Sequence, residues 1–394
     1  MNAKKTLIAV AVAAVVAAPA VSYAASSTLY GAIELAMTQS STAVNGGKSS
    51  TSFLDNGSRI GLKGSNDLGN GLTGFYNLEL GVNALNQDSA STKGSSPYSE
   101  SYGQVKTRLG YFGVKGDFGT VVAGRQHGLF YSLIDQPTDV ANVVNGPLNA
   151  IGFNGGYNSR VNAVAYVSPN FSGFTGGVAY ADIGTYNGIG TYNGTCATGS
   201  TVNSTVNSNT ACTNQTGNAG KQQGAYQIGG KYSANGVWWV SAAYMGVPKD
   251  NVTFNTKGGA SWKNVWGIAG GYNFGMFALN ANYQQEKPRS SISPSAYVYG
   301  TNRNKSIKTA VVQGSMSMGP LYAYLQYSGM QYYNQNNKRT ADQVTAGVFY
   351  SIAKPLQVTF EVAHGNQYMN SFGYKNSGDF KGNTTVAIGT NYYF

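Results

Sequence analysis

Charge is what this sequence lacks most. Asp, Glu, Lys and Arg make up 10% of its residues, where a soluble domain carries about 25%. A water-exposed surface on a chain of 394 residues would need more, so an ordinary soluble globule fits poorly. Long apolar runs are also missing. No stretch beyond the first twenty residues approaches the roughly 20 apolar residues of a spanning helix. Histidine is nearly absent, with 2 residues, His127 and His364, and their spacing supports no Ser–His–Asp constellation. Hydrolytic chemistry therefore has no visible base, and an enzyme is not expected. The net charge is +11, yet Lys and Arg form no run, which argues against a nucleic-acid partner. Cysteine occurs twice, at Cys196 and Cys212, with no His, Asp or Glu nearby to complete a metal site. The Gly-Gly pairs at 46–47 and 229–230 precede no lysine-bearing helix start, so no phosphate loop and no cofactor are expected.

What the chain has instead is 53 Gly, 29 Tyr and 16 Phe. The first 24 residues combine Lys4 and Lys5, an apolar run from Leu7 to Ala18, and small residues at Ser22 and Ala24. This is the pattern of a cleaved signal peptide, too short and too soon followed by Pro19 to be a membrane anchor. The expectation is a signal peptide over 1–24 and a single domain over 25–394. In an exported chain, Cys196 and Cys212 read naturally as a disulfide closing a polar loop.

From residue 25 onward one plan repeats. Segments of about ten residues alternate apolar with small or polar side chains, the period-2 signature of a strand between two environments. Short connections rich in Gly, Pro, Asn and Asp lie at 66–71, 115–119, 168–174, 233–236, 273–275, 317–320 and 353–355. They alternate with long polar connections around 38–56, 83–103, 126–158, 183–223, 248–261, 287–306, 331–341 and 365–382. About sixteen strands follow from this count, an even number with short turns on one side and long loops on the other. In lipid an unpaired backbone group costs several kcal/mol, so such a sheet must close on itself. The fold class expected is all-β, a transmembrane antiparallel barrel. The last segment, TTVAIGTNYYF, places Val386, Ile388, Thr390, Tyr392 and Phe394 on one face. The first, TLYGAIELAM, places Leu29, Gly31, Ile33, Leu35 and Met37 on its lipid side, and the two are expected to seal together.

The chain resembles Gram-negative general porins, most of all the β-proteobacterial branch of Burkholderia, Bordetella, Comamonas and Neisseria. The resemblance rests on SSTLYGAIE, SRIGLKGSNDLGNGLTGFYNLELG (58–81), RLGYFGVKGDFGTVVAGRQ (108–126), NSRVNAVAYVSPNFSGFTGGVAY (158–180) and the terminal NYYF. It implies a sixteen-stranded barrel in the outer membrane with short periplasmic turns, long extracellular loops and a third loop folded inward. It also implies a homotrimer, contact with outer-membrane lipids and lipopolysaccharide, and passive diffusion of small anions and hydrophilic solutes. Tyr392 and Phe394 would serve as the signal to the barrel-assembly machinery.

Strand parity suggests which charges face the water. Ile60 and Leu62 suit lipid, so Arg59 and Lys63 face in. Tyr76, Leu78 and Leu80 face out, so Asn77 and Glu79 face in. Taking Leu109 and Tyr111 as outward puts Arg108 inside, and taking Val161, Ala163 and Ala165 as outward puts Arg160 and Asn162 inside. The resemblance makes Arg59, Arg108 and Arg160 a wall cluster beside Glu79, with Arg125 at the start of loop three. Loop three would set Asp135 and Asp139 opposite them. The expected outcome is a general pore with mild anion preference. A solute-specific channel with a tyrosine track and a non-conducting adhesive barrel are the alternative readings.

Overall fold

The computed structural model describes residues 26–41, 49–85, 105–144, 160–182, 224–246, 262–288, 305–334, 337–366 and 382–394. The expected signal peptide and both cysteines, Cys196 and Cys212, lie outside the described residues. The described strand segments are β1 (Ser26–Ser40), β2 (Ser50–Asp55), β3 (Arg59–Gly69), β4 (Leu72–Gly81), β5 (Lys106–Gly116), β6 (Gly119–His127), β7 (Arg160–Val167), β8 (Phe174–Asp182) and β9 (Gly224–Ala234). They continue with β10 (Trp238–Gly246), β11 (Trp262–Asn273), β12 (Phe277–Pro288), β13 (Ile307–Met318), β14 (Leu321–Asn334), β15 (Asn337–Ala353), β16 (Leu356–Gly365) and β17 (Asn383–Tyr393).

All segments join one antiparallel sheet whose first strand also pairs with its last. The outer half of β1, Leu35 to Ser40, pairs with β2, and its inner half, Ser26 to Ala32, pairs with β3. β2 and β3 are thus two halves of one barrel strand, and among the described residues the barrel has sixteen strands. Closure leaves no edge, which a sheet in hydrocarbon requires. The expected seven short turns all lie between paired strands. The second-last long connection, expected around 331–341, is shorter than expected: β14 and β15 run on to Asn334 and from Asn337. Their Tyr, Gln and Asn residues can pair in a ladder as readily as they can form a loop.

The outward face is apolar. Leu29, Ile33, Met37, Phe112, Val164, Ile228, Leu325, Phe360 and Ile388 are all exposed there. The inward face carries buried Gln227, Gln284, Gln313, Gln326 and Glu361. This inversion of a soluble core is what lipid outside and water inside select. Among the described residues, no helix is long and apolar enough to cross a membrane.

The seam depends on the two terminal segments. Ile33 stands opposite Tyr392, and Met37 opposite Ile388. Gly31 N–H donates to the Phe394 carbonyl at 2.9 Å, and Phe394 N–H donates to the Gly31 carbonyl at 3.1 Å. The Phe394 ring lies over Gly31, and a Cβ at 31 would come within 2.7 Å of the Arg59 carbonyl as well as into that ring. Gly31→Val is therefore expected to remove most of the folded barrel, read as loss of the heat-modifiable band in electrophoresis. A folded yield equal to that of the parent would contradict this account of the seam.

Candidate functional site in the barrel lumen

The site begins with a break in a strand. Between β2 and β3, the Asp55 carboxylate accepts from Gly57 N–H and Ser58 N–H, both at 2.9 Å, and from Ala84 N–H at 2.8 Å. Gly57 takes a φ of +116° there, a conformation open to glycine. The resulting kink brings Ser58 Oγ to the Glu34 amide, 3.0 Å away. It also starts β3 with Arg59 aimed at Glu34.

From there charges alternate across neighbouring strands. Arg59 Nη1 bonds Glu34 Oε1 at 2.8 Å, and Arg59 Nε lies 3.9 Å from Glu79 Oε2. Arg108 Nε bonds Glu79 Oε1 at 2.7 Å. The Tyr30 hydroxyl donates to Glu79 at 3.1 Å and to Asn77 at 2.8 Å. Each carboxylate thus has cationic or hydroxyl donors, as a buried charge requires. Arg160 completes the group, within electrostatic reach of Arg108, Glu79, Tyr131 and Arg125.

Parity put Arg59 and Glu79 on the correct face, but it placed Arg108 and Arg160 inside by the wrong route. Leu109 stands opposite Glu79 and Tyr111 opposite Asn77, so both face the lumen. The register then slips by one, making Arg108 a bulge residue, and the bulge turns its side chain inward too. On β7, Val164 and Tyr166 are the outward residues, and Val161, Ala163 and Ala165 are buried inside. Asn162 is on the exposed outer face, and Arg160 reaches the ladder because it is the first residue of its strand, where the chain leaves the sheet. Arg125 pairs with Gly110 and Asn162, which sets it on the outer face with its Nε donating to the Thr107 carbonyl at 2.9 Å. Lys63 lies on the inner face but on the turn side of the ladder.

Loop three crosses to the far wall. Its first turns, Tyr131–Asp135 and Gln136–Thr138, follow directly on Phe130. Phe130 and Ile134 bury themselves against Ala225, Ala243, Met245, Val265 and Ala269. Polar groups of the wall take up the loop's backbone: Asn282 donates to the Ile134 carbonyl at 3.0 Å, Gln326 to that of Thr138 at 2.5 Å, and Ser241 to that of Leu133 at 2.6 Å. Farther on, Glu361 accepts from the amides of Asn142, Val143 and Val144 at 2.8, 2.6 and 3.2 Å, and from the Tyr324 hydroxyl at 2.7 Å. The Asn142 carbonyl then receives Asn56 at 2.7 Å, beside the ladder. Glu361, Glu34 and Asp55 are acids of the site that sequence reading does not single out. An acid at an inward position of a strand, with no cation at its neighbouring positions, is the signal that marks Glu361.

The two loop-three acids part company. Asp139 is exposed, with its Oδ2 accepting from Tyr131 at 2.7 Å. Asp135 is 2% exposed and accepts from Gln284 at 2.8 Å, so it anchors the loop to the far wall and does not face the arginines. Its apolar neighbours Phe130 and Ile134 draw that turn out of the water. Burial pushes the Asp135 carboxyl up to about 8, opposed by the Gln284 bond and reinforced by Asp139. The docked carboxyl thus keeps a proton that a solvated one would release. Docking is fully favoured below the ordinary value of 3.8 and weakens as pH rises toward 8. Open-channel current noise should therefore grow over that range, and Asp135→Asn should flatten the pH profile. Noise that still rises in Asp135→Asn would assign the titration to another group.

A family model described as Gram-negative porin matches residues 9–370. The major outer membrane protein P.IB of Neisseria meningitidis serogroup B is 33% identical over 195 residues, covering 47% of this chain and 52% of that protein. The protein of the same name from Neisseria gonorrhoeae is 35% identical over 188 residues, covering 45% and 48%. The chain therefore spans about half the length of the curated relatives it matches. Among solved structures, an anion-selective porin from Comamonas acidovorans aligns with a TM-score of 0.60 at 18% identity, over 94% of this chain and 100% of that one. The trimer form of OmpT from Vibrio cholerae gives 0.60 at 14% identity, over 94% and 100%. At these identities the likeness concerns the fold.

Proposed function

This chain belongs to the Gram-negative porin family, and on that premise we propose that it forms a water-filled channel for passive diffusion of small hydrophilic solutes across the outer membrane, with mild preference for anions. The observation that carries this reading is the guanidinium–carboxylate ladder on the inner wall, which loop three reaches where the Asn142 carbonyl receives Asn56. Arg59 and Arg108 are matched by Glu34 and Glu79, so that, of the charges named above, two cations remain, Arg160 and, farther toward the short turns, Lys63, with one exposed acid, Asp139. The excess is about one positive charge. An anion about 4 Å from one unmatched cation gains roughly 1 kcal/mol in water and about 4 kcal/mol at an effective dielectric of 20. That is enough to bias passage and too little to hold the solute, as conduction requires. Arginine suits the task because it stays charged at any working pH and is weakly hydrated.

A channel of this family needs no catalytic group, and none of the ladder residues is placed as a nucleophile beside a base. A homotrimer, contact with outer-membrane lipids, and recognition of Tyr392 and Phe394 by the assembly machinery belong to the same proposal. A signal peptide over 1–24 ahead of a single domain over 25–394 fits export to that membrane. The test is the zero-current potential of the purified protein in a planar bilayer under a KCl gradient. A potential of the sign set by chloride, with closures in groups of three, is expected. Cation preference would overturn the role given to the arginines, and a folded protein without conductance would overturn the channel.

A further inference from the structure

Lys63 has no place in the arginine ladder, and its surroundings form a site of their own. It follows Arg59 by four residues on the same face of β3, about 13 Å farther toward the short turns at ~3.3 Å per residue. Gly61 lies between them. The Tyr30 ring rests on Gly61 so closely that a Cβ there would come within 2.5 Å of a ring carbon. The ring therefore packs on Gly61 as a partition between the two residues. Its hydroxyl belongs to the ladder, through Glu79 and Asn77. Its face belongs to Lys63, whose Nζ stands 5.0 Å from the ring centroid.

Beside this partition the wall opens into a recess of about 320 Å³, lined by Thr28, Lys63, Gly64, Ser65, Tyr76, Asn77 and Tyr111, with the Tyr76 hydroxyl taken up by Ser27. The lining is fixed by the sheet. Thr28 is the register partner of Lys63, and Asn77 that of Tyr111. Tyr111 is braced edge-on by Phe75, with ring centroids 6.4 Å apart. One ammonium, three hydroxyls and one amide thus converge from β1, β3, β4 and β5, and the lining has no carboxylate. A recess of this volume admits one small solute. Its chemistry asks for one negative charge and several hydroxyl groups. The cation–π contact holds the ammonium while leaving its N–H groups to the solute.

We propose that this recess is a wayside binding site for small hydroxylated carboxylates, with the carboxylate at Lys63 Nζ and solute hydroxyls on Ser65, Asn77 and Tyr111. The site rests on the channel reading above and deepens it. A solute passing the ladder would be received about 13 Å farther on, so two weak stations in series replace one strong one, and release stays fast.

The probe is gluconate, compared with glucose, added to single channels of the full-length protein in KCl. Gluconate should reduce the current saturably and add binding noise, and glucose, which lacks the charge, should do neither. Lys63→Gln should raise the half-blocking gluconate concentration roughly tenfold, the size of effect of one close charge contact. Tyr111→Phe should raise it less, and Lys63→Arg should restore most of the block. Equal block in the parent and in a conducting Lys63→Gln channel would overturn the site and leave the channel reading intact. Absence of conductance in the parent would overturn the channel reading itself. Equal block by glucose would replace the carboxylate with a neutral sugar and overturn the ligand class.

Discussion

Replacing Glu361 with alanine should release the far end of loop three and widen the pore. Glu361 is fully buried and accepts from three successive loop amides and from Tyr324. Each buried N–H left without an acceptor costs about 1–3 kcal/mol. The loop can avoid part of that loss by turning toward lumen water, so the expected result is undocking and not misfolding. A loss of roughly 3–4 kcal/mol lowers the ratio of docked to undocked loop by about 10²- to 10³-fold. Single-channel recordings should show higher mean conductance and larger noise, and protease should cut near 139–144 where the parent resists. Phe130 and Ile134 remain packed on their wall, so residues 129–138 should stay protected. Glu361→Gln keeps one carbonyl acceptor and should fall between the two. Unchanged conductance and protection in Glu361→Ala would mean that the Val143 and Val144 packing alone holds the loop.

The second large effect is a reversal of ion preference. Substituting Arg59, Arg108 and Arg160 with serine together leaves Glu34 and Glu79 on the wall and Asp139 on the loop, with Lys63 the one cation remaining of the group described above. The lumen field should then change sign, and the zero-current potential should move from chloride to potassium preference. A charge acts over about the ~8 Å Debye length of physiological salt, so an ion that passes close to the ladder feels it. In the wider mouths the same charges would be screened. Glu79→Gln should shift the potential the opposite way, since it bridges Arg59 and Arg108. It should also loosen both arginines, seen as broader conductance levels. If the triple variant folds and keeps chloride preference, the selectivity lies in lysines elsewhere along the lumen.

Much of the architecture was legible because the constraint acts at every residue. Alternation, short turns and the absence of charge on one face are imposed by lipid along each strand, so the pattern repeats until chance cannot explain it. The lumen site was legible only in part. Arg59 and Glu79 follow simple parity, and so their faces were read correctly. Arg108 sits at a register slip and Arg160 at a strand end, and both reach the lumen although the parity assigned to their strands was inverted. Alternation carries no information at a bulge or at the point where the chain leaves the ladder.

By itself, then, the sequence determined the closed barrel, its inside and outside, the sealing of β17 on β1, and the presence of arginines in the lumen. Each of these follows from local periodicity and the solvent on either side. The tertiary structure alone decided that Asp135 turns to the far wall, that Glu361 holds loop three, that Glu34 joins the ladder, and that Lys63 stands in a separate recess. These depend on contacts such as Asn142 with Glu361, 219 positions apart. Such a contact is set by barrel closure and by which wall the loop's apolar turn can bury against, and neither leaves a mark in the residues beside it.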